Sequence, residues 1–517
     1  MKEIVADTIH GKVRGTVKDG VYSFKGIPYG GPTGGPNRFM PPIPPEPWPG
    51  IRDAIQYGPS SWQVLRAQTK IDFDLWGPEG LSSMSEDCLC LNVLTCGLND
   101  NGKRPVMVWL HGGGFSSGSG DFTPWFNCPN LAKNEDVVLV TVNHRISFLG
   151  FLHLAEIGGD RYATSGNTGL LDMVASLEWV RDNIATFGGD PGNVTIFGES
   201  GGGQKVLSLL AMPAAKGLFH RGIVESGHYL KASTSEEATQ KAWKLLDMLG
   251  IGKKNIDNIH KMRVDSILSA YIKVTSDFHW TQGQAQFFPV VDGHSLPTHP
   301  FYPAAAPTAS EVPLIIGNNK HEAARFLYEE PQFGKYDEAT MRRYITEFPK
   351  GLWKDTIPDE LVEDLIATYR RTRPNSTPHD LLIAIISDWV RMNHIKIAEL
   401  KLAGGPAPVY MYLFAWESPA LNNKLKACHV LEIPFVFNDV EPTIGAIGDW
   451  PGRFELAKNM SGAWAAFARS GNPNHQGIPN WPAYTTGKRA TMIFDATCRV
   501  ENDPCDEERK SWEGAIP

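Results

Sequence analysis

Six short apolar runs most constrain what this chain can become: VMVWL (Val106–Leu110), VVLVTV (Val137–Val142), VTIF (Val194–Phe197), Gly222–Val224, Pro313–Ile316 and VYMYLF (Val409–Phe414). They do not alternate apolar with polar residues, so neither face of such a strand is built to meet water. A sheet buried on both faces is mostly parallel. Parallel neighbours cannot be joined by a tight turn and need crossover helices. One crossover is visible in Gly169–Phe187, where Leu170 (with Leu171), Val174, Leu177, Val180 and Ile184 form one core-facing stripe. Residues 232–275 and 335–405 also read as largely helical, as excursions over the sheet. The expectation is an α/β fold: a large, mostly parallel central sheet with helices on both faces. At 517 residues and 42% hydrophobic, the chain has enough apolar material to cover such a sheet. No internal repeat or Gly/Ser linker divides it, so residues 1–517 are expected to form one domain with insertions.

The charge balance excludes some functions. A formal net charge of -8 without a basic stripe argues against nucleic-acid binding. No run of apolar residues is long enough for a transmembrane helix. The N-terminal MKEIVADTIHGKVRG lacks the apolar stretch of a signal peptide. The expected location is the cytoplasm, unless a leader was removed before this numbering begins. The seven cysteines (88, 90, 96, 128, 428, 498 and 505) contain no C-x-x-C pair, so they do not spell a zinc site. They are expected to be buried free thiols, with Cys498 and Cys505 the pair to bridge if any does.

The chemistry lies in a pattern that occurs twice. G-x-S-x-G fits Gly198–Gly202 (GESGG) and also Gly114–Gly118 (GFSSG). Before Ser200 stands the strand VTIF, and after it GGQKVLSLLAM reads as a helix. Strand, tight turn and helix are the context of a nucleophile elbow, a strained corner that lifts a serine hydroxyl above the sheet. Ser116 lacks that context. It follows HGGGF (111–115), where consecutive glycines free backbone N–H groups to point at a ligand, as an oxyanion hole requires. Ser200 is therefore the candidate nucleophile, with Gly113 and Gly114 as candidate donors. A serine hydroxyl needs a base, and the base needs a third group to fix its tautomer. The elbow arrangement places these in the order Ser, then Asp or Glu, then His.

With those residues in view, the chain resembles the type-B carboxylesterases of the carboxylesterase and cholinesterase family. FKGIPYG (24–30), RFMPP (38–42), SEDCLCLNV (85–93), HGGGF, VNHR (142–145), FGGDPGNVTIFGESGG (187–202), FPVVDG (288–293) and HVLEIPFVF (429–437) resemble its motifs in order, across nearly the whole chain. The resemblance implies the α/β-hydrolase fold and ester hydrolysis through an acyl-enzyme. By the same resemblance Ser200 is the nucleophile, Glu322 the acid and His429 the base, while Gly113, Gly114 and Gly201 are the oxyanion donors. It also pairs Arg38 with Glu86, and Arg145 with Asp172. No cofactor or metal is implied, and the expected partner is a small-molecule ester. Two rivals stand beside this reading. The same triad could cleave an amide, carbamate or lactone, and some members of the fold family have lost the serine and only bind partners.

Several positions depart from the family pattern or touch specificity. HEAAR (321–325) nearly spells the zinc motif H-E-x-x-H, but Arg325 stays protonated and cannot ligate. Gly201 stands where many relatives have alanine, and Val430 where glycine is common after the base. Ser61 stands where secreted relatives often carry the cysteine that would bridge to Cys88, which implies that Cys88 is free. The resemblance implies an acyl pocket at Gly283 and Ala285 and a gorge-wall position at Arg325; Phe115 and Phe326 complete the expected substrate pocket, with Trp76, Trp125 and Trp280 as further aromatic candidates. Small residues at 283 and 285 imply a roomy acyl side. Arg325 implies poor acceptance of choline esters, and either a carboxylate on the substrate or a structural carboxylate as its partner.

Overall fold

The computed structural model describes every residue except 1–3, 66–67, 78–79, 81–82, 122–128, 276–286, 353–356, 358 and 517, and no side chain within 348–352. Each of the six apolar runs is a strand of one sheet. That sheet is 11-stranded, and its centre is parallel. Across it lie Ala490–Phe494, Val409–Phe414, Leu314–Asn319, Arg221–Glu225, Gly189–Glu199, Arg104–Leu110 and Val138–Val142, each parallel to its neighbours. The edges are antiparallel: Arg499–Asn502 on one side, and Cys90–Thr95, Val21–Pro28 and Thr16–Lys18 on the other. This is the α/β-hydrolase fold. A separate 3-stranded sheet joins Val5–Thr8, Gly11–Arg14 and Ile51–Asp53.

The strand Arg104–Leu110 shows why the apolar runs are continuous. Val106, Val108 and Leu110 point into one core with Leu170, Leu177 and Val180 of the crossover helix Thr168–Asn183. Met107 and Trp109 point into the other, with Phe197, Phe437 and Trp464. Trp109 meets Phe197 and Phe437 edge-on, with ring centroids 4.9 and 5.0 Å away. A polar residue at either parity would be buried, and each buried Val or Leu contributes about 1.5–3 kcal/mol.

The excursions are helical as expected. Residues 232–275 hold Ser235–Met248 and Val264–Thr275, and residues 335–405 hold Glu338–Leu352, Asp359–Thr372 and Pro378–Gly404. Thr234 and Thr377 open the first and last of these with capping boxes, which satisfy N–H groups the first turn leaves unpaired. No helix among the described residues is long and apolar enough to cross a membrane.

Two buried arginines fasten the loops around this frame. Arg145 holds Asp172 through Nη2 at 2.6 Å and Nε at 2.8 Å, and its Nη1 donates to the Met40 carbonyl at 2.8 Å. Arg38 holds Glu86 through Nε at 2.6 Å and Nη2 at 2.8 Å, and donates to the carbonyls of Ile259 and Met262 in the first excursion. Removing one partner of such a buried pair costs about 3–5 kcal/mol, because it strands the other charge. Cys498 and Cys505 do not bridge; both are free thiols, as are Cys88, Cys90, Cys96 and Cys428. The expected burial needs correction: it fails at Cys505, which is exposed, and at Cys96 and Cys498, which are half-buried, while Cys128 lies outside the described residues.

Candidate active site

Three adjacent parallel strands end together, and their carboxyl ends carry the polar residues. Gly189–Glu199 ends in Glu199, Arg221–Glu225 in Glu225, and Leu314–Asn319 in Asn319. In sheets of this kind the crevice at that edge is where ligands bind. Ser200 follows Glu199 directly, with φ 55° and ψ −120°, and the helix Gly201–Leu210 starts at the next residue. A non-glycine residue in that conformation is strained. Two features hold it there: the Ser200 N–H donates to the Glu225 carbonyl at 2.8 Å, and the Ser200 carbonyl accepts from Gln204 at 3.1 Å. The flanking glycines are steric necessities. A Cβ on Gly202 would overlap the Leu110 carbonyl, and one on Gly198 would strike Leu110 and Gly202.

The glycine loop lies against this corner. Gly113 and Gly114 have φ of 81° and 61°, and a Cβ on Gly201 would overlap the backbone N, Cα and O of Gly114. An alanine at 201 would require the Gly114 backbone to shift. The N–H groups of Gly113, Gly114 and Gly201 donate to nothing among the described residues. Ser116, in the second copy of the pattern, closes the loop instead: its N–H donates to the Gly113 carbonyl at 3.2 Å.

His429 and Glu322 meet beside the corner. His429 Nδ1 lies 2.5 Å from Glu322 Oε2, and a carboxylate can only accept, so Nδ1 carries the hydrogen. Glu322 is buried, and its Oε1 accepts from Ser226 Oγ at 2.6 Å and from the Asn319 N–H at 2.7 Å. Phe326 packs on the imidazole with centroids 4.9 Å apart. Val430 has φ 69°, the left-handed conformation that glycine adopts freely, so the loop after His429 keeps its shape at the cost of backbone strain. The Ser200 hydroxyl makes no hydrogen bond to His429 in this structure. Nε2 instead lies 3.1 Å from Glu199 Oε1.

Glu199 belongs to a buried acid cluster that sequence reasoning missed. Burial first, and then the charges of Glu432, Glu322 and Glu225, hold Glu199 well above the usual carboxylate range. Burial and Glu322 do the same to Glu432, whose Oε2 accepts from the Asn319 side chain. Glu225 is pushed up to about 8 by burial, although Trp464 Nε1 donates to it at 2.8 Å. The signal was available in part: acidic or amide residues terminate three apolar strands in turn.

The pocket residues divide. Phe115 is buried among Phe151, Tyr229 and Phe288. Arg325 turns to a structural carboxylate: Nη2 lies 3.1 Å from Asp72 Oδ1, Nη1 donates to the Tyr328 hydroxyl at 2.5 Å, and the guanidinium stacks over Trp76 and Tyr328. Its charge is thus matched inside the protein. Gly283, Ala285, Trp125 and Trp280 lie outside the described residues.

A model of the carboxylesterase family matches residues 2–512. The chain belongs to the carboxylesterase family. With that membership go carboxylesterase activity and the fold described above. This carboxylesterase is 36% identical over 514 residues to the para-nitrobenzyl esterase of Bacillus subtilis (strain 168), covering 99% of this chain and 98% of that one. It is 37% identical over 518 residues to the liver carboxylesterase of Sus scrofa, covering 93% and 87%. The crystal structure of the Geobacillus stearothermophilus carboxylesterase at pH 6.2 matches with a TM-score of 0.83 at 36% identity, over 98% of this chain and 99% of that one.

Proposed function

We propose that the enzyme cleaves carboxylic esters through an acyl-enzyme on Ser200, with His429 as general base, Glu322 as its orienting acid, and the N–H groups of Gly113, Gly114 and Gly201 as the oxyanion hole. The observation that carries this reading is the His429–Glu322 bond of 2.5 Å beside a serine held on a strained strand–helix corner. With its hydrogen on Nδ1, the imidazole has Nε2 unprotonated and able to take the proton of Ser200 Oγ as it attacks the ester carbonyl. Glu322 stabilises the imidazolium that forms. Negative charge then grows on the carbonyl oxygen, where the three unengaged N–H groups meet it; one such donor is worth about 2.7–4 kcal/mol. His429 returns its proton to the leaving alcohol, and water repeats the sequence to release the acid.

Two details of the resting site fit this cycle. An ionised Glu199 beside Nε2 would hold the imidazole as a cation and remove the base. Burial and its acidic neighbours oppose that ionisation. The Ser200–His429 hydrogen bond is of a kind that is often long until the Michaelis complex tightens it.

Methanol partitioning tests the acyl-enzyme. Esters sharing one acid and differing in their alcohol are hydrolysed with methanol present, and the ratio of methyl ester to free acid is measured. A common acyl-enzyme gives one ratio for all leaving groups. A ratio that changes with the alcohol contradicts the reading.

A further inference from the structure

We propose that Lys205 is a positioning residue for ester hydrolysis, locking the glycine loop in register with the helix that follows Ser200. The proposal rests on the assignment of Gly113, Gly114 and Gly201 as oxyanion donors, and adds the device that aligns them.

Lys205 lies on the helix Gly201–Leu210 and is 0% exposed. Its Nζ donates to the His111 carbonyl at 2.7 Å. The oxyanion loop starts at the next residue. One side chain therefore ties the helix that supplies the Gly201 N–H to the strand end that supplies those of Gly113 and Gly114.

The peptide planes show what the tie controls. In a planar trans peptide the carbonyl and the following N–H point in opposite directions. Fixing a carbonyl therefore aims the next amide. Lys205 fixes the carbonyl of His111 and so aims the Gly112 amide, anchoring the loop one peptide before its first donor. His111 Nδ1 lies 2.9 Å from the Gly112 carbonyl and 3.4 Å from Lys205 Nζ; with its hydrogen on Nδ1, the tautomer the shorter contact favours, the ring donates to that carbonyl and fixes it too. Ser116 and Ser117 donate their N–H groups to the Gly113 carbonyl at 3.2 and 3.1 Å. Three successive planes are pinned, and the amides of Gly113 and Gly114 have directions set before substrate arrives. Glycines have no side chains to set those directions themselves.

Lys205 is also an expensive choice for a core position. An amine removed from water is unfavourable unless well compensated. Burial drives Lys205 well below the usual lysine range, and the imidazoles near it, His111 and His144, are likewise held well below theirs, by burial first and then by Lys205. An apolar side chain of similar length would fill the same space at less cost. The hydrogen bond to the loop is what such a side chain could not supply.

The test compares Lys205→Met and Lys205→Gln with the wild-type enzyme, Gln keeping a donor one bond shorter that meets the His111 carbonyl after a shift of about 1 Å. Four quantities are measured: kcat and KM for a p-nitrophenyl ester, the inhibition constant of a trifluoromethyl ketone that adds to the nucleophile as an oxyanion, and the unfolding midpoint. Lys205→Met should lower kcat about ten- to hundredfold with KM within about threefold. Ketone affinity should fall in the same proportion, while the midpoint holds or rises. Lys205→Gln should recover a substantial part of both losses. A merely structural lysine would lower the midpoint and leave ketone affinity coupled to it. Wild-type kcat in Lys205→Met, or a loss that Lys205→Gln does not relieve, overturns the proposal. If Lys205→Met does not fold, Lys205→Gln decides alone: ketone affinity and kcat falling together at an unchanged midpoint supports the tie, and a fall that follows the midpoint overturns it. A Ser200→Ala enzyme that still hydrolyses the ester refutes the underlying site reading instead, which separates the two failures.

Discussion

The two G-x-S-x-G segments are identical in pattern and opposite in what they do. Around Ser200 a strand ends, φ turns positive and a helix begins at once, so the serine stands on a rigid corner. Around Ser116 the chain has left its strand, and the serine amide folds back on Gly113. On the proposed reading the first serine is the nucleophile, and the second folds the loop that carries the donor amides. The five-residue pattern, on that reading, does not mark the nucleophile; the strained turn between a strand and a helix does.

The comparison breaks most sharply on the serines themselves. Ser200→Ala should lower kcat/KM about 10^4- to 10^6-fold with an unchanged unfolding midpoint, while Ser116→Ala should cost less than about tenfold. The reverse ranking would move the nucleophile to the loop. Next in size is Glu322→Gln, which replaces the acceptor of the 2.5 Å bond with a group that can bind the wrong tautomer. A loss of about 10^3- to 10^4-fold in kcat is expected, against little change in KM. Gly201→Ala probes where the two segments touch. The new methyl would overlap the Gly114 backbone, and displacing the loop should cost about ten- to hundredfold in kcat, although the Gly201 amide is retained. Smaller still, Arg325→Ala should change the ratio of kcat/KM for butyrylcholine and an uncharged ester of equal size by less than about threefold, because Asp72 already matches the arginine's charge. A tenfold change would show that the guanidinium faces substrate.

The acid beneath the Ser200 corner sharpens the comparison on the side of stability. Glu225 is held at about 8 in the folded chain, against about 4.3 for an unfolded glutamate. The folded state therefore binds more protons between those values, and stability falls as pH rises across that window. Glu225→Gln removes this contribution. Its midpoint should gain on that of wild type progressively from pH 5 to pH 8 in scanning calorimetry. A difference independent of pH would contradict the burial of an acid there.

What the sequence disclosed follows the range of each interaction. The elbow and the glycine loop were legible because strand, turn and helix are local. The parallel centre was legible because continuous apolar runs admit few alternatives. Glu322 and His429 stand 107 residues apart, and only resemblance to a family joined them. The strand before Ser200 was read as Val194–Phe197 but spans Gly189–Glu199, since GDPGN spells a turn while Gly189 pairs with Arg104. Asp72 as the partner of Arg325, and Lys205 as the tie to His111, had no local signal. A charged residue in an apolar stretch does not reveal which distant group will face it.

The central claim is that one backbone corner, not the pattern it shares, makes Ser200 the nucleophile. Stoichiometric inactivation by a phosphonofluoridate, followed by tryptic mass spectrometry, tests this directly. The account predicts one adduct per chain, on the peptide holding Ser200, formed in proportion to the activity lost and absent from the Ser116 peptide. Complete inactivation with Ser200 unmodified, or with the adduct on Ser116, would contradict it.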